Sequence, residues 1–257
     1  MSSSTVSKRS YGVDVASYQS ASVNYTGAKF AFVKVTEGTE YVNPKAEAQI
    51  KSAKAHGLMV MGYFYANHST SVSKARAEAK YAVAKAEAFG IPKGSYLADD
   101  FEHGSGNNVN GSISGNTDAI LAAMQVIKEA GYKPMVYSGA YVLHNRVSAS
   151  RIVKSYGTCL WVASYKISGR QDYADFNYFP SMDGVAIWQF TDNYKGYKVD
   201  GNITLINLKI SSGSSQSKST KTAVESLSQH PVVKWNIGAV AVVSNRKGAY
   251  VYTSSKL

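Results

Sequence analysis

Within the stretch SYLADDFEHG, residues 95–104, three carboxylates (Asp99, Asp100 and Glu102) fall inside four positions, and His103 follows. A desolvated carboxylate is costly unless it is paired or used, so an apolar strand that ends this way calls for an explanation. Alternate residues of a strand face alternate sides. Asp100 and Glu102 therefore share one face with Tyr96 and Ala98, about 6.6 Å apart along the strand, while Leu97, Asp99 and Phe101 take the other. Asp14 lies inside YGVDVAS, Glu37 ends FAFVKVTE, and Asp200 precedes NITLINLK. Grouped carboxylates of this kind suit hydrolysis of a glycosidic bond. One acid of raised pKa protonates the leaving oxygen, and a second carboxylate stabilises or attacks an oxocarbenium-like centre. Tyr63, Tyr65, Tyr137, Tyr165 and Trp188, all on strand segments, supply flat faces for sugar rings. Salt-bridged loop carboxylates and core aromatics are the plainer alternatives for any one of these residues taken alone.

Other chemistries find less support. The five histidines (56, 68, 103, 144 and 230) show no ligand spacing, so neither a metal nor another cofactor is expected; His103 is expected at the rim. Cys159 opens an apolar strand and reads as core rather than as a nucleophile. As the one cysteine, it also excludes an internal disulfide.

The elements that must hold these acids alternate in type. Strand candidates cover 11–17, 30–37, 58–66, 95–102, 133–139, 159–165, 184–190 and 202–209. Helices with their own punctuation separate several of them. Asn43 and Pro44 open one that Gly57 ends, and Ser71 or Ser73 opens an Ala-rich one that stops at Gly90. Asn116 or Thr117 opens a third that stops at Gly131. Strand–helix alternation means βα units and a mainly parallel sheet. Eight strands in about 200 residues can close as a barrel, with chemistry at the C-terminal strand ends; an open doubly wound sheet is the alternative. No amphipathic helix separates the last two strands. If they form an antiparallel pair, the start of the last one returns Asp200 to the active rim.

The chain has 257 residues, and its 44% hydrophobic content is ample for a packed core. No apolar run approaches the roughly 20 residues of a membrane span. MSSSTVSKRS has no apolar core of a signal peptide, so synthesis in a host cytoplasm is expected. The net charge of +11 favours a polyanionic partner, yet the basic residues are not interleaved with aromatics as in a nucleic-acid motif. Residues 211–257 hold six Lys/Arg against one acid. Their start, 211–221, is a Ser/Lys-rich linker, and 222–257 is too short for an independent β module.

With these segments in place, the chain resembles the glycoside hydrolase family 25 lysozymes, N-acetylmuramidases of the phage endolysin type. The matching stretches are GVDVASYQ, FAFVKVTEGTEYVNP, GYFYAN, YLADDFEH, LWVASY and IWQF…VDGN. The resemblance implies a compressed, TIM-like (β/α)5β3 α/β barrel over 1–210 with an antiparallel last strand. It also implies cleavage of the β-1,4 bond from N-acetylmuramic acid to N-acetylglucosamine in peptidoglycan. The Asp-x-Glu motif falls on Asp100 and Glu102, with Glu102 the proton donor, and the two outlying acids fall on Asp14 and Asp200. Where members often read Tyr-His-aromatic, this chain has Tyr63-Phe64-Tyr65. The tail, with GAYVYTSS, resembles the start of a bacterial Src-homology-3-like wall-binding module. A monomer is expected, released to the wall through a holin-type pore, its basic tail meeting anionic wall polymers. A chitinase-like enzyme and a non-catalytic glycan-binding barrel are the alternatives. The first would need Asp where Ala98 stands, and the second would be expected to have lost Asp100 or Glu102.

Overall fold

The computed structural model describes residues 4–104 and 106–210, and two strands further on. Eight strands form the barrel: β1 (Tyr11–Val15), β2 (Ala28–Glu37), β3 (Met59–Tyr65), β4 (Tyr96–Asp100), β5 (Lys133–Gly139), β6 (Leu160–Ala163), β7 (Val185–Thr191) and β8 (Asp200–Thr204). They pair in chain order, and β8 closes the ring by pairing with β1. All neighbours are parallel except β8, which runs antiparallel to both β7 and β1.

The strands carry apolar residues on both faces, as a parallel sheet covered on both sides requires. Phe30 and Phe32 of β2 point into the barrel with Met61, Ala98, Met135 and Trp161. Ala31, Val33 and Val35 of the same strand point to the outer layer. The interior is tight enough to dictate residue size. A Cβ on Gly12 would come within 2.3 Å of the Phe30 ring. Phe32 stacks on Trp161 with ring centroids 4.3 Å apart, a contact worth about 0.5–1.5 kcal/mol beyond its buried area.

Helices α1 (Ala46–Ala55), α2 (Val72–Ala88), α3 (Ile113–Glu129), α4 (Ala140–Asn145) and α5 (Ala149–Tyr156) cover the outside. In α2 a stripe of buried alanines (75, 79, 82 and 86) allows close approach to the barrel and to α3. Ser71 caps it by accepting the Lys74 amide.

Three boundaries differ from the sequence expectation, each where a polar side chain engages a backbone group. Helix α3 starts at Ile113 under a Ser112 cap, ahead of Asn116 and Thr117. Asn116 instead donates to the carbonyls of Val109 and Arg146, and Thr117 to that of Ile113. Helix α1 starts at Ala46 rather than at Pro44; the Asn43 side chain caps the Lys45 amide just before it. The last strand is broken after Thr204, whose hydroxyl donates to the Ile206 carbonyl. Leu208–Ile210 then pairs antiparallel with Ser4–Val6 beneath the barrel, where Val6 and Leu208 join the interior cluster.

The chain divides into two compact units, Met1–Gly213 and Ser214–Leu257. In the second, Val240–Asn245 pairs antiparallel with Gly248–Thr253. The expected linker at 211–221 and residues 222–239 of the segment expected to begin a wall-binding module lie outside the described residues.

Candidate active site

Strand alternation brings the polar exceptions of these apolar strands together at one mouth. Asp14 and Asp100 end the inward rows of β1 and β4, and Tyr63, Tyr137 and Gln189 each stand one inward position short of the ends of β3, β5 and β7. Because β8 runs backward, its first residue, Asp200, reaches the same rim opposite Asp14. Strand β4 stops at Asp100, so Glu102 enters from the loop just beyond it. Asp14, Asp100, Glu102, Asp200, Tyr63, Tyr137, Trp161 and Gln189 line one small cleft.

The acids form two coupled pairs. Asp14, buried, accepts hydrogen bonds from Gln189 Nε2 at 2.9 Å and Asn202 Nδ2 at 2.7 Å. Burial pushes its pKa up, and these donors together with Asp200 work against that rise. Asp200 is driven to about 9, first by burial, then by the Asp14 charge and by a hydrogen bond with Asp14. The proton of this pair therefore rests on Asp200, and Asp14, held by two amide donors, is the better hydrogen-bonded anion. Asp100 and Glu102 are both raised, chiefly by burial. The Glu102 charge pushes Asp100 further up, Asp14 does the same to Glu102, and Lys34 opposes both shifts. Two neighbouring carboxyls of this kind titrate as a unit and hold a shared proton well above the usual carboxylate range. Asp100 Oδ1 is buried with no hydrogen-bond partner among the described residues.

The remaining expected residues divide. Tyr63 and Tyr137 line the cleft, but their rings are nearly buried and pack edgewise against Trp161. They offer edges and hydroxyls rather than faces. Tyr137 and Tyr165 both donate to Gln189 Oε1, and Tyr165 is 38% exposed. Glu37 pairs with Lys34 at 2.7 Å and lines a neighbouring groove of about 540 Å³ with Tyr41 and Asn67. The Tyr65 ring lies 4.8 Å from Lys34 Nζ, beside this pair.

Trp188 corrects the sequence expectation. It sits on the outer face of β7, 1% exposed, packed against Phe176, Phe179 and Phe190, and its indole N–H donates to the Ser164 carbonyl. The indole that faces the cleft is Trp161, held by its Nε1 donating to Asn202 Oδ1 at 2.7 Å. Trp161, Gln189, Asn202 and Lys34 went unassigned in the sequence. Gln189 and Lys34 carried a usable signal, each the lone polar residue in an apolar run.

Behind the site, Asp99 faces outward as alternation requires and meets His68 at 3.2 Å, with both side chains fully buried. Burial opposes the imidazolium, but the Asp99 carboxylate and two hydrogen bonds outweigh it and raise the His68 pKa. Cys159 is core, its thiol pushed up to about 12 by burial. Among the described residues no group of His, Cys, Asp and Glu is arranged to hold a metal, and no helix is long and apolar enough to cross a membrane.

Residues 13–199 match the family model for glycosyl hydrolases family 25. A lysozyme of Lactococcus phage mv1 is 42% identical over 179 residues, 68% of this chain and 89% of that protein. A lysozyme of Streptococcus phage Cp-7 is 33% identical over 207 residues, 79% of this chain but 55% of its own length. Among solved structures, the modular Cpl-1 endolysin complexed with a peptidoglycan analogue superposes with a TM-score of 0.66 at 26% identity, covering 96% of this chain and 62% of that one. This chain thus spans little more than half of the longer phage relatives. The matched residues 13–199 run from the first barrel strand to the brink of the last and hold three of the four cleft acids, and the chain belongs to glycosyl hydrolases family 25.

Proposed function

We propose that this barrel is a muramidase that hydrolyses the β-1,4 bond between N-acetylmuramic acid and N-acetylglucosamine in peptidoglycan. The observation that carries the reading is the cleft itself: four carboxyls, Asp14 and Asp100 buried and Glu102 and Asp200 half-buried, at the C-terminal mouth of a family 25 barrel.

Glu102 is the proton donor. It is the more exposed member of its pair, at the lip of the cleft, and burial and the Asp14 charge raise its pKa, which favours the protonated form that a general acid needs. When that proton passes to the glycosidic oxygen, positive charge develops on the departing sugar ring. Asp14, anionic and fixed by Gln189 and Asn202, supplies the opposing charge with no reorganisation at the moment of reaction. Asp100, with its free acceptor Oδ1, orients the acetamido group of the reacting sugar through its N–H. Asp200 holds its proton and keeps Asp14 in place. Tyr165 offers its exposed face to a sugar ring, and Tyr63, Tyr65 and Glu37 border the path the glycan takes.

The basic segment 211–257 attaches the enzyme to anionic wall polymers, and the protein works as a monomer on the wall after release from a host cytoplasm. The deciding experiment is mass spectrometry of digested walls. Muramic acid at the new reducing ends is the expected result, and N-acetylglucosamine there would overturn the assignment.

A further inference from the structure

The Glu102 carboxyl is only as well placed as the backbone beneath it, and that backbone lies beyond the end of β4. The Phe101 amide still donates to the Tyr137 carbonyl at 2.9 Å, and Ser138 Oγ donates to the Phe101 carbonyl at 2.6 Å. From Glu102 onward the sheet no longer holds the chain.

Asn107 takes over there. It is 1% exposed. Its Nδ2 donates to the Glu102 carbonyl at 2.9 Å, and its Oδ1 accepts the Ser69 amide at 2.7 Å. Its own N–H and C=O exchange bonds with Gly104. One amide thus ties the Glu102 backbone to the loop that follows β3. That loop is fixed in turn to the outer face of β4. His68 Nδ1 meets the Ser69 carbonyl at 3.0 Å, its Nε2 meets Asp99, and its ring stacks on Phe101 at 5.3 Å.

We propose that Asn107 is a positioning residue for the proton donor. By gripping the Glu102 carbonyl, it sets where the carboxyl stands relative to Asp100 and the glycosidic oxygen. The inference rests on Glu102 being that donor. Both ends of the amide are needed: Asn107→Ala removes both bonds, and Asn107→Asp keeps the acceptor but turns an anionic oxygen on the Glu102 carbonyl. A displacement of about 1 Å at a reacting group can cost on the order of 100-fold in rate.

The test uses soluble glycan chains, with rates measured below each variant's melting temperature and corrected for folded fraction. Asn116→Ala is the control, since Asn116 also bridges two loop carbonyls (those of Val109 and Arg146) but does not touch Glu102. Both Asn107 variants should lose about 10- to 100-fold in kcat with KM unchanged within about two-fold, while Asn116→Ala loses thermal stability and keeps its kcat. In a Glu102→Gln background, Asn107→Ala should cost almost nothing more, because the group it positions has gone. Losses that multiply in the double variant, or an Asn107→Ala kcat no lower than that of Asn116→Ala, would overturn the proposal. Should Asn107→Ala not fold, Ser69→Ala removes the oxygen that accepts the Asn108 amide and loosens the same loop. Its smaller kcat loss must vanish in the Glu102→Gln background, and a loss that persists there counts against the proposal. Near wild-type activity of Glu102→Gln alone is a separate result, which removes the acid assignment itself.

Discussion

Asp14 and Asp200 stand opposite one another as register partners across the antiparallel seam between β1 and β8. Two acids at that spacing in a buried site cannot both ionise cheaply, and here Asp200 keeps the proton.

That arrangement has a signed effect on stability. The folded protein holds a proton on Asp200 up to about pH 9, whereas the unfolded chain releases it near the ordinary aspartate value of 3.8. Between those limits the folded state binds more protons, so stability falls as pH rises. Asp200→Asn, which keeps a donor toward Asp14, should melt higher than wild type at pH 8 and about the same at pH 4. Thermal melts at the two pH values test this, and a variant that melts lower at pH 8 contradicts it.

Glu102→Gln keeps the shape of the proton donor and removes its proton. Wall lysis should fall at least about 100-fold, the scale of general acid catalysis, with the melting temperature little changed. Lysis assays on purified walls beside a melting curve decide it.

Asp100 and Asp99 are neighbours in sequence with opposite duties. Asp100→Asn should cut turnover strongly and leave stability intact or improved, because a buried carboxyl with an unpartnered oxygen is removed. Asp99→Asn leaves a buried imidazolium without its anion, a loss of about 3–5 kcal/mol for a pair of this kind, with turnover of the folded fraction far less affected. The His68 pKa is raised on folding. The pair's contribution is therefore complete below about pH 6.5 and fades as pH climbs through the folded value, so the gap between wild type and Asp99→Asn should narrow at alkaline pH.

Removing residues 214–257 should leave cleavage of soluble glycan chains unchanged and weaken binding to purified walls at low salt. The difference should shrink as salt shortens the screening length to about 8 Å. Equal wall binding of the two forms at low salt would rule out electrostatic attachment by the tail.

Much of the site was legible because a two-residue period leaves polar residues conspicuous. Asp14 and Asp100 sit in strands whose other inward positions are apolar or small, so their facing followed from counting. The backward return of Asp200 needed only the missing helix before β8. Trp188 was misread for the complementary reason. The run VAIWQF is apolar on both faces and gives no cue to which side meets the barrel; only Gln189 broke the pattern, and it places Trp188 outside. The His68–Asp99 pair joins residues 31 apart in sequence, a contact that no local period reports. The clamp on Glu102 likewise depends on where two loops meet.

The short pairing of Ser4–Val6 with Leu208–Ile210 lies beneath the barrel, beside the strand ends furthest from the cleft. Both ends of the barrel segment consequently leave from its floor, a few residues apart. A short bridge across them would make a circular permutant reopened at a loop elsewhere geometrically undemanding. Anchoring the barrel to a bead or a fused carrier through either end would leave the mouth pointing away from the support.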